Sequence, residues 1–235
     1  MSFDALGFAG CGTLNFYQTG VALALQKYGL GDHLLFTGAS AGSGLSVLLA
    51  GGIEAGEIFE VADRILRPHQ GKNILLHPRI LREFADQFLN HFINESLLNK
   101  IGDRVYISIT RLKPYGNLLV NQFRNTEDLY EAIRASCHIP SIQSPSVSFR
   151  GQACVDGGFS LNNPKVGRQC LRVSPFFFDP RMTIRPRVFT PPWWTVIVPS
   201  AHRAQQIFTR GVRDGERYLK EISDEVSRSS AGTDI

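Results

Sequence analysis

The apolar positions change period along the first fifty residues. A short continuous apolar run, "ALGFAG" at 5–10, ends at Gly-Cys-Gly and predicts a buried strand. Leu14, Tyr17, Val21, Leu25 and Tyr28 then recur at three- and four-residue intervals, the spacing of one helical face, and Gly29 closes that helix. "LLFTG" at 34–38 reads as a second strand and "GSGLSVLLAGG" at 42–52 as the helix behind it. Strand, glycine turn, helix, strand, sharp turn, helix is a βαβα opening, which predicts an α/β fold with a parallel sheet.

Beyond Gly52 the periods continue to alternate. Residues 54–70 form a third helical pattern. Along 80–98, Ile80, Leu81, Phe84, Phe88, Phe92 and Ile93 make one stripe, read as a helix packed on the sheet or as a lipid-facing lid. The β-branched runs 104–112 and 117–123 flank "KPYG", a turn signal, and predict a hairpin or neighbouring strands. Thr126 is the expected N-cap of a helix that stops before Pro140. Residues 151–160 and 170–178 are two more candidate strands, 180–199 is Pro-rich and irregular, and 202–222 is a terminal helix. A frayed tail at 227–235 ends the chain.

Composition adds few constraints. With 43% hydrophobic and 20% charged residues, 235 residues can bury one sizeable core. The net charge of +4 is concentrated late: from Lys165 onward there are 12 Lys or Arg against 7 Asp or Glu. That bias suits an anionic partner such as a phospholipid surface or nucleic acid, or simply a solvated helix face. Cys11, Cys137, Cys154 and Cys170 lack metal-ligand spacing and the density of a disulfide scaffold, which points to reduced thiols in a cytoplasmic setting. The start of the chain lacks the basic and apolar regions of a secretion signal, and no apolar run is long enough for a confident membrane span.

The chemistry concentrates at "GASAG", Gly38 to Gly42, a G-x-S-x-G pattern between a predicted strand and helix. Small neighbours permit the sharp turn that would expose Ser40, and the helix behind it directs N–H groups at the reacting centre. A serine hydroxyl needs a base within hydrogen-bond reach. Among six histidines only His202 follows a plausible acid, Asp156 or Asp179, and it opens an arginine-rich helix. The α/β-hydrolase plan also places several strands before its serine, where this chain has one, so the usual triad is not expected. "VDGGFSLNNP" at 155–164 offers Asp156 at a strand end beside Gly157 and Gly158. It reads as a base acting directly on serine, or as an Asx turn. The glycines at 10–12, with Asp32 downstream, also invite comparison with a dinucleotide site. The third glycine is missing and Asp32 precedes the second strand, which argues against it.

"GFAGCGTLNFYQTGVA", "FTGASAGS" and "VDGGFSLNNP", in this order and at these separations, resemble the patatin-like phospholipase family, and more narrowly its adipose triglyceride lipase and adiponutrin branch. "HPRILREFADQFL", "ISITRL", "ASCHIP", "FRGQACVDGG" and "VSPFF" extend the likeness over about residues 3–178. That span would be the hydrolase domain, with 179–235 a Pro/Trp/Arg-rich segment and helix packing on or extending it. The resemblance implies a three-layer α/β/α fold with a mostly parallel central sheet. It implies a Ser40/Asp156 dyad working through an acyl-enzyme, oxyanion donors at Gly10, Cys11 and Gly12, and supporting glycines at Gly38, Gly42, Gly157 and Gly158. The substrate would be an acyl lipid: triacylglycerol, phospholipid or lysophospholipid. No metal or organic cofactor and no nucleic acid is implied. Peripheral contact with a membrane or lipid droplet and a protein co-activator are the partners implied. Trp193 and Trp194 beside arginines suit a headgroup boundary or cover the core edge. One position departs from the branch: Asn15 stands where G-x-G-x-x-G has its last glycine, and asparagine is the residue that best tolerates unusual backbone angles after glycine. That departure keeps a catalytically inactive lipid-binding or regulatory module open, and acyl transfer is the other alternative.

Overall fold

The computed structural model describes residues 3–29, 33–141 and 144–231, with side chains described as far as 224; Asp32 lies outside them. The elements in chain order are β1 (Ala5–Phe8), α1 (Asn15–Lys27), β2 (Leu35–Ala39), α2 (Ala41–Ala50) and α3 (Ala55–Leu66). There follow α4 (Pro78–Phe92), α5 (Glu95–Ile101), β3 (Val105–Leu112), β4 (Tyr115–Val120), α6 (Thr126–Ser136) and β5 (Val147–Phe149). The chain closes with β6 (Gln152–Asp156), α7 (Gly158–Leu161), β7 (Cys170–Val173) and α8 (Ala201–Ala231). One mixed sheet runs β5-β6-β3-β2-β1-β7, with β4 also paired to β3. The stretch β3-β2-β1-β7 is parallel, and β4, β6 and β5 join it antiparallel. β1 is wholly buried, which explains its unbroken apolar run, and the core continues through Phe36, Leu48, Ile107 and Ile109.

The ladder register brings two strand ends together. Ser108 of β3 pairs with Ala39 on one side and Leu119 on the other, whereas the next residue, Ile109, pairs with Asp156 and Leu118. β4 therefore fills one edge of β3, while β2 and β6 abut end to end along the opposite edge. β2 finishes at Ala39 and β6 at Asp156, so the two chain segments meet head-on.

Several boundaries differ from the sequence expectation. The stripe at 80–98 is two helices, because Ile93 turns extended and the Asn94 side chain caps α5 by accepting from the Leu97 N–H at 2.9 Å. α4 packs principally against α3, not on the sheet. Asn125, not Thr126, caps α6, accepting from the Asp128 N–H at 2.9 Å. The strand expected over 151–160 stops at Asp156, where the chain turns into α7; the one expected over 170–178 stops at Val173. β5 answers to no sequence expectation. α8 remains helical to Ala231, into the stretch expected to fray, and 232–235 lie outside the described residues.

α8 is fastened to α1 through backbone proximity. A Cβ on Gly20 would lie 2.0 Å from the Phe208 carbonyl oxygen, and one on Gly211 would lie 2.0 Å from that of Tyr17. The buried Tyr17 hydroxyl donates to Asp214 at 2.8 Å across this seam. The C-terminal segment is thereby held to the helix that follows β1.

Candidate active site

Ser40 sits between β2 and α2 at φ 51° and ψ −131°, a conformation that L-residues rarely adopt. Such backbone persists only where its surroundings fix it. Here they do. A Cβ on Gly38 would lie 2.2 Å from the Gly42 carbonyl oxygen, and one on Gly42 would lie 2.4 Å from that of Phe8, so only glycines admit the turn. The Ser40 N–H donates to Ser136 Oγ at 2.9 Å, and the Ser136 hydroxyl donates to the Ser108 carbonyl at 2.8 Å. α6 and β3 thus hold the elbow from beneath. Ser136 is a site residue that sequence reasoning missed; no local pattern marks a hydroxyl 96 positions away from the backbone it serves.

Asp156, only 7% exposed, is the other strand end of the head-on junction. Its Oδ1 accepts the Gly158 N–H at 2.7 Å, and Asp156 lines the same cleft as Ser40. Burial pushes the carboxyl up to about 6, and the nearby Ser40 side chain and the Gly158 N–H partly offset that rise. Gly157 keeps the turn against β3, since a Cβ there would sit 2.0 Å from the Ser108 carbonyl oxygen. The Asx-type bond to Gly158 is present, and it leaves the Asp156 carboxylate on the cleft that Ser40 also lines.

The turn after β1 closes the site. A Cβ on Gly10 would come within 2.9 Å of Ser40 Cβ, which makes glycine a steric necessity. Its N–H, however, donates to the Asn162 carbonyl at 3.1 Å, and Gly10 is therefore not a free oxyanion donor. The N–H groups of Cys11 and Gly12, ahead of the first bond of the short 3₁₀ turn, and that of Ala41 at the start of α2 have no hydrogen-bond partner among the described residues. Gly10, Cys11, Gly12, Ser40, Asp156 and Gly158 line one open cleft of about 260 Å³.

From Ser40 a second, almost wholly apolar cavity of about 120 Å³ runs between α1, α3, α4 and α6. Phe16, Ile58, Leu66, Phe84, Phe88 and Ile133 are among its walls, so the α4 stripe lines a cavity instead of covering the sheet. Asn15 also lines it, in ordinary helical backbone at φ −58°, so its tolerance of unusual backbone angles is not used here. Its buried Oδ1 has no hydrogen-bond partner among the described residues, so the departure acts on cavity shape and polarity. Cys137, on the wall of this cavity, has its thiol pushed up to about 12, by burial first and then by the Asp156 charge. Burial raises Cys11 likewise. Both thiols are therefore neutral at ordinary pH.

His202 is exposed on α8, bonded to Gln206, and Asp179 is paired with Arg181; neither lines the cleft. The two tryptophans divide the readings offered for them. Trp194 packs against the core with the Arg203 guanidinium 4.5 Å from its ring centre, whereas Trp193 is 62% exposed. Among the described residues no group of three His, Cys, Asp or Glu side chains could hold a metal, and no helix is long and apolar enough to cross a membrane.

Comparison with known proteins agrees with this architecture. The solved structure of VipD from Legionella pneumophila covers 94% of this chain and 67% of its own at a TM-score of 0.55 and 12% identity, a likeness of fold. A 1-acylglycerol-3-phosphate O-acyltransferase of Mus musculus is 33% identical over 74% of this chain and 44% of its own length. The human patatin-like phospholipase domain-containing protein 4 is 34% identical over 77% and 74% respectively. The chain thus spans less than half of the mouse acyltransferase. The family model described as patatin-like phospholipase matches residues 6–165, taking in most of β1, the Ser40 elbow and Asp156. The chain belongs to the patatin-like phospholipase family.

Proposed function

We propose that this chain is a lipid acyl hydrolase working through a Ser40/Asp156 dyad. Membership of the family supports lipid hydrolase or acyltransferase activity. The observation that carries the reading is the strained Ser40 turn sharing one cleft with the buried Asp156 carboxylate, with an apolar cavity opening from Ser40. Ser40 Oγ attacks the ester carbonyl while its proton passes to Asp156, and the carbonyl π electrons move to oxygen. The N–H groups of Cys11, Gly12 and Ala41 are the donors available to that oxyanion. Collapse breaks the bond to the alcohol, which leaves with the proton from Asp156, and the acyl chain stays on Ser40 with its tail in the apolar cavity. Water then attacks the acyl carbonyl, giving its proton to Asp156, and collapse breaks the bond to Ser40 Oγ, which takes that proton back as the fatty acid leaves.

A carboxyl near 6 suits this role, because it is ionised at neutral pH yet basic enough to hold a proton transiently. Exposed Leu75, Leu76, Phe159 and Trp193, which are either on the cleft or close in sequence to its lining residues, favour peripheral contact with a lipid surface.

Acyl transfer is the second reading, favoured by relatives named as an acylglycerol-phosphate acyltransferase and an omega-hydroxyceramide transacylase. The two share every step up to the acyl-enzyme and differ in whether water or a second alcohol attacks it. Labelling with a long-chain fluorophosphonate, followed by mass spectrometry, tests the shared part. An adduct on Ser40 that is lost in Asp156→Asn is expected, and no adduct on a folded protein would favour an inactive lipid-binding module. Product partition between water and an added acyl acceptor separates hydrolase from transferase.

A further inference from the structure

A third cavity, of about 420 Å³, adjoins the apolar one and differs from it in charge. Leu81, Ala85, Arg134, Cys137 and Ile139 line both, and Ile139 lines the catalytic cleft as well, so three compartments meet at this residue. Arg79 and Arg82, one turn apart on α4, face Arg134 of α6 across the third cavity. Arg67, Arg124, Arg150, Arg181, Arg187 and Arg217 are each spent on an ion pair. Arg79, Arg82 and Arg134 have no hydrogen bond or ion pair among the described residues; Arg134 only lies over the Tyr130 ring at 5.7 Å. Asp86, the acid on this cavity, already accepts the Tyr130 hydroxyl at 2.5 Å. His138, also on the wall, is held below its ordinary value by burial and then by the Arg134 and Arg82 charges. The positive field therefore reaches across the cavity.

Three unpaired guanidiniums around one cavity present forked donors matched to a phosphate, and that cavity meets the catalytic cleft at Ile139, where the headgroup of a lipid whose ester carbonyl lies at Ser40 can enter it. We propose that Arg79, Arg82 and Arg134 form an anion subsite that selects glycerophospholipids carrying a phosphate monoester over neutral acylglycerols. The proposal rests on the acyl-lipid reading of Ser40 and Asp156, and it names the substrate class for that site.

Binding to the Ser40→Ala protein tests it without turnover. Calorimetry would compare 1-oleoyl-glycerol 3-phosphate, 1-oleoyl-glycerol and glycerol 3-phosphate. The phosphorylated lipid is expected to bind at least tenfold tighter than the neutral one, and glycerol 3-phosphate far more weakly than either lipid. Adding Arg79→Gln and Arg82→Gln should reduce the preference at least fivefold, while Arg79→Lys and Arg82→Lys should keep most of it. Both positions are exposed, and thermal melts would verify that each variant folds. A preference below tenfold, or one that survives the double Gln change, overturns the subsite. Glycerol 3-phosphate binding as tightly as the phosphorylated lipid overturns the lipid headgroup and leaves a free-phosphate site. The outcomes are separable from those of the hydrolase reading. Preference without fluorophosphonate labelling of the wild type would sink the hydrolase reading alone, and labelling without preference would sink the subsite alone.

Discussion

Asp156 and Asp128 are both buried carboxylates, 7% and 3% exposed, and their surroundings drive them in opposite directions. Asp128 receives two bonds from Arg150, at 3.1 and 2.7 Å, one from the Arg124 guanidinium at 3.0 Å, and the Arg124 N–H at 2.9 Å. The Arg150 bonds lead in holding it well below the ordinary carboxylate range. Among the described residues Asp156 is paired with no cation and accepts one backbone N–H, and burial takes it up to about 6. Burial alone therefore identifies neither residue as functional. A carboxylate with two guanidiniums is a clamp that gives up its charge only in strong acid, and one left to burial can exchange a proton near neutrality.

The sharpest way to break this contrast is to remove each carboxylate in turn. Asp156→Asn keeps the shape and removes the base. The rate of fluorophosphonate labelling at Ser40 should fall by about 10³-fold, within the range that a positioned base supplies. A fall under tenfold with the fold intact would move the base elsewhere. His202→Ala is expected to leave labelling within twofold, because His202 lies on α8 outside the cleft.

The pH dependence should differ in sign between the two. Below about pH 6 Asp156 is protonated, so labelling should slow about tenfold per pH unit as pH falls. Its folded value lies above the ordinary 3.8, so the native state holds this proton more tightly than the unfolded chain, and stability declines as pH rises from about 4 to about 6. Asp156→Asn should therefore be about 1 to 3 kcal/mol more stable than wild type at pH 7 and nearly equal to it at pH 4. Asp128, held low, contributes stability that is present above 3.8 and is lost as pH falls below it. Urea midpoints at pH 4 and pH 7 read the Asp156 contribution, midpoints at pH 4 and below about pH 3 read that of Asp128, and an Asp156→Asn protein no more stable than wild type at pH 7 would contradict the burial argument.

Asp128→Ala should cost about 2 to 3 kcal/mol at pH 7, the usual penalty for breaking a buried, hydrogen-bonded ion pair, tempered by the exposure of its arginines. Labelling of the folded fraction should stay within twofold. A large loss of labelling per folded molecule would mean that the clamp also positions α6, whose Ser136 holds the Ser40 N–H.

How much of this was legible in the sequence follows the range of the interactions. The βαβα opening, the elbow at Ser40 and the carboxylate at Asp156 are written locally, in period and in short motifs. The head-on meeting of β2 and β6 is not, because it depends on which residues of β3 each strand selects. The Ser136 hydroxyl and the Asn162 carbonyl, which takes up the Gly10 N–H, are partners across 96 and 152 positions. β5 was missed for a related reason. Its hairpin turns on Arg150 and Gly151, both at positive φ, where Asn-Gly is the usual signal. Arg150 tolerates that backbone while its guanidinium is tied to Asp128, a restraint no turn rule contains. The caps were misread by proximity: Asn125 adjoins the better-looking Thr126, and Asn94 lies inside an apolar stripe that reads as continuous.

The smallest expected effect addresses the strain at the elbow itself. Both Ser40→Ala and Ser40→Gly remove the hydroxyl from Asp156, so their difference isolates the cost of a Cβ at φ 51°. Such a conformation costs about 1 to 3 kcal/mol for an L-residue. Glycine relieves it but gains freedom in the unfolded chain, which takes back about 0.4 to 1 kcal/mol. The relief of strain outweighs that loss, so Ser40→Gly should be about 1 kcal/mol more stable than Ser40→Ala in paired urea titrations. Equal midpoints would mean that the neighbouring glycines and the Ser136 bond hold the turn without stored strain. An alanine variant more stable than glycine would show that unfolded-chain entropy, not the elbow, dominates at this position.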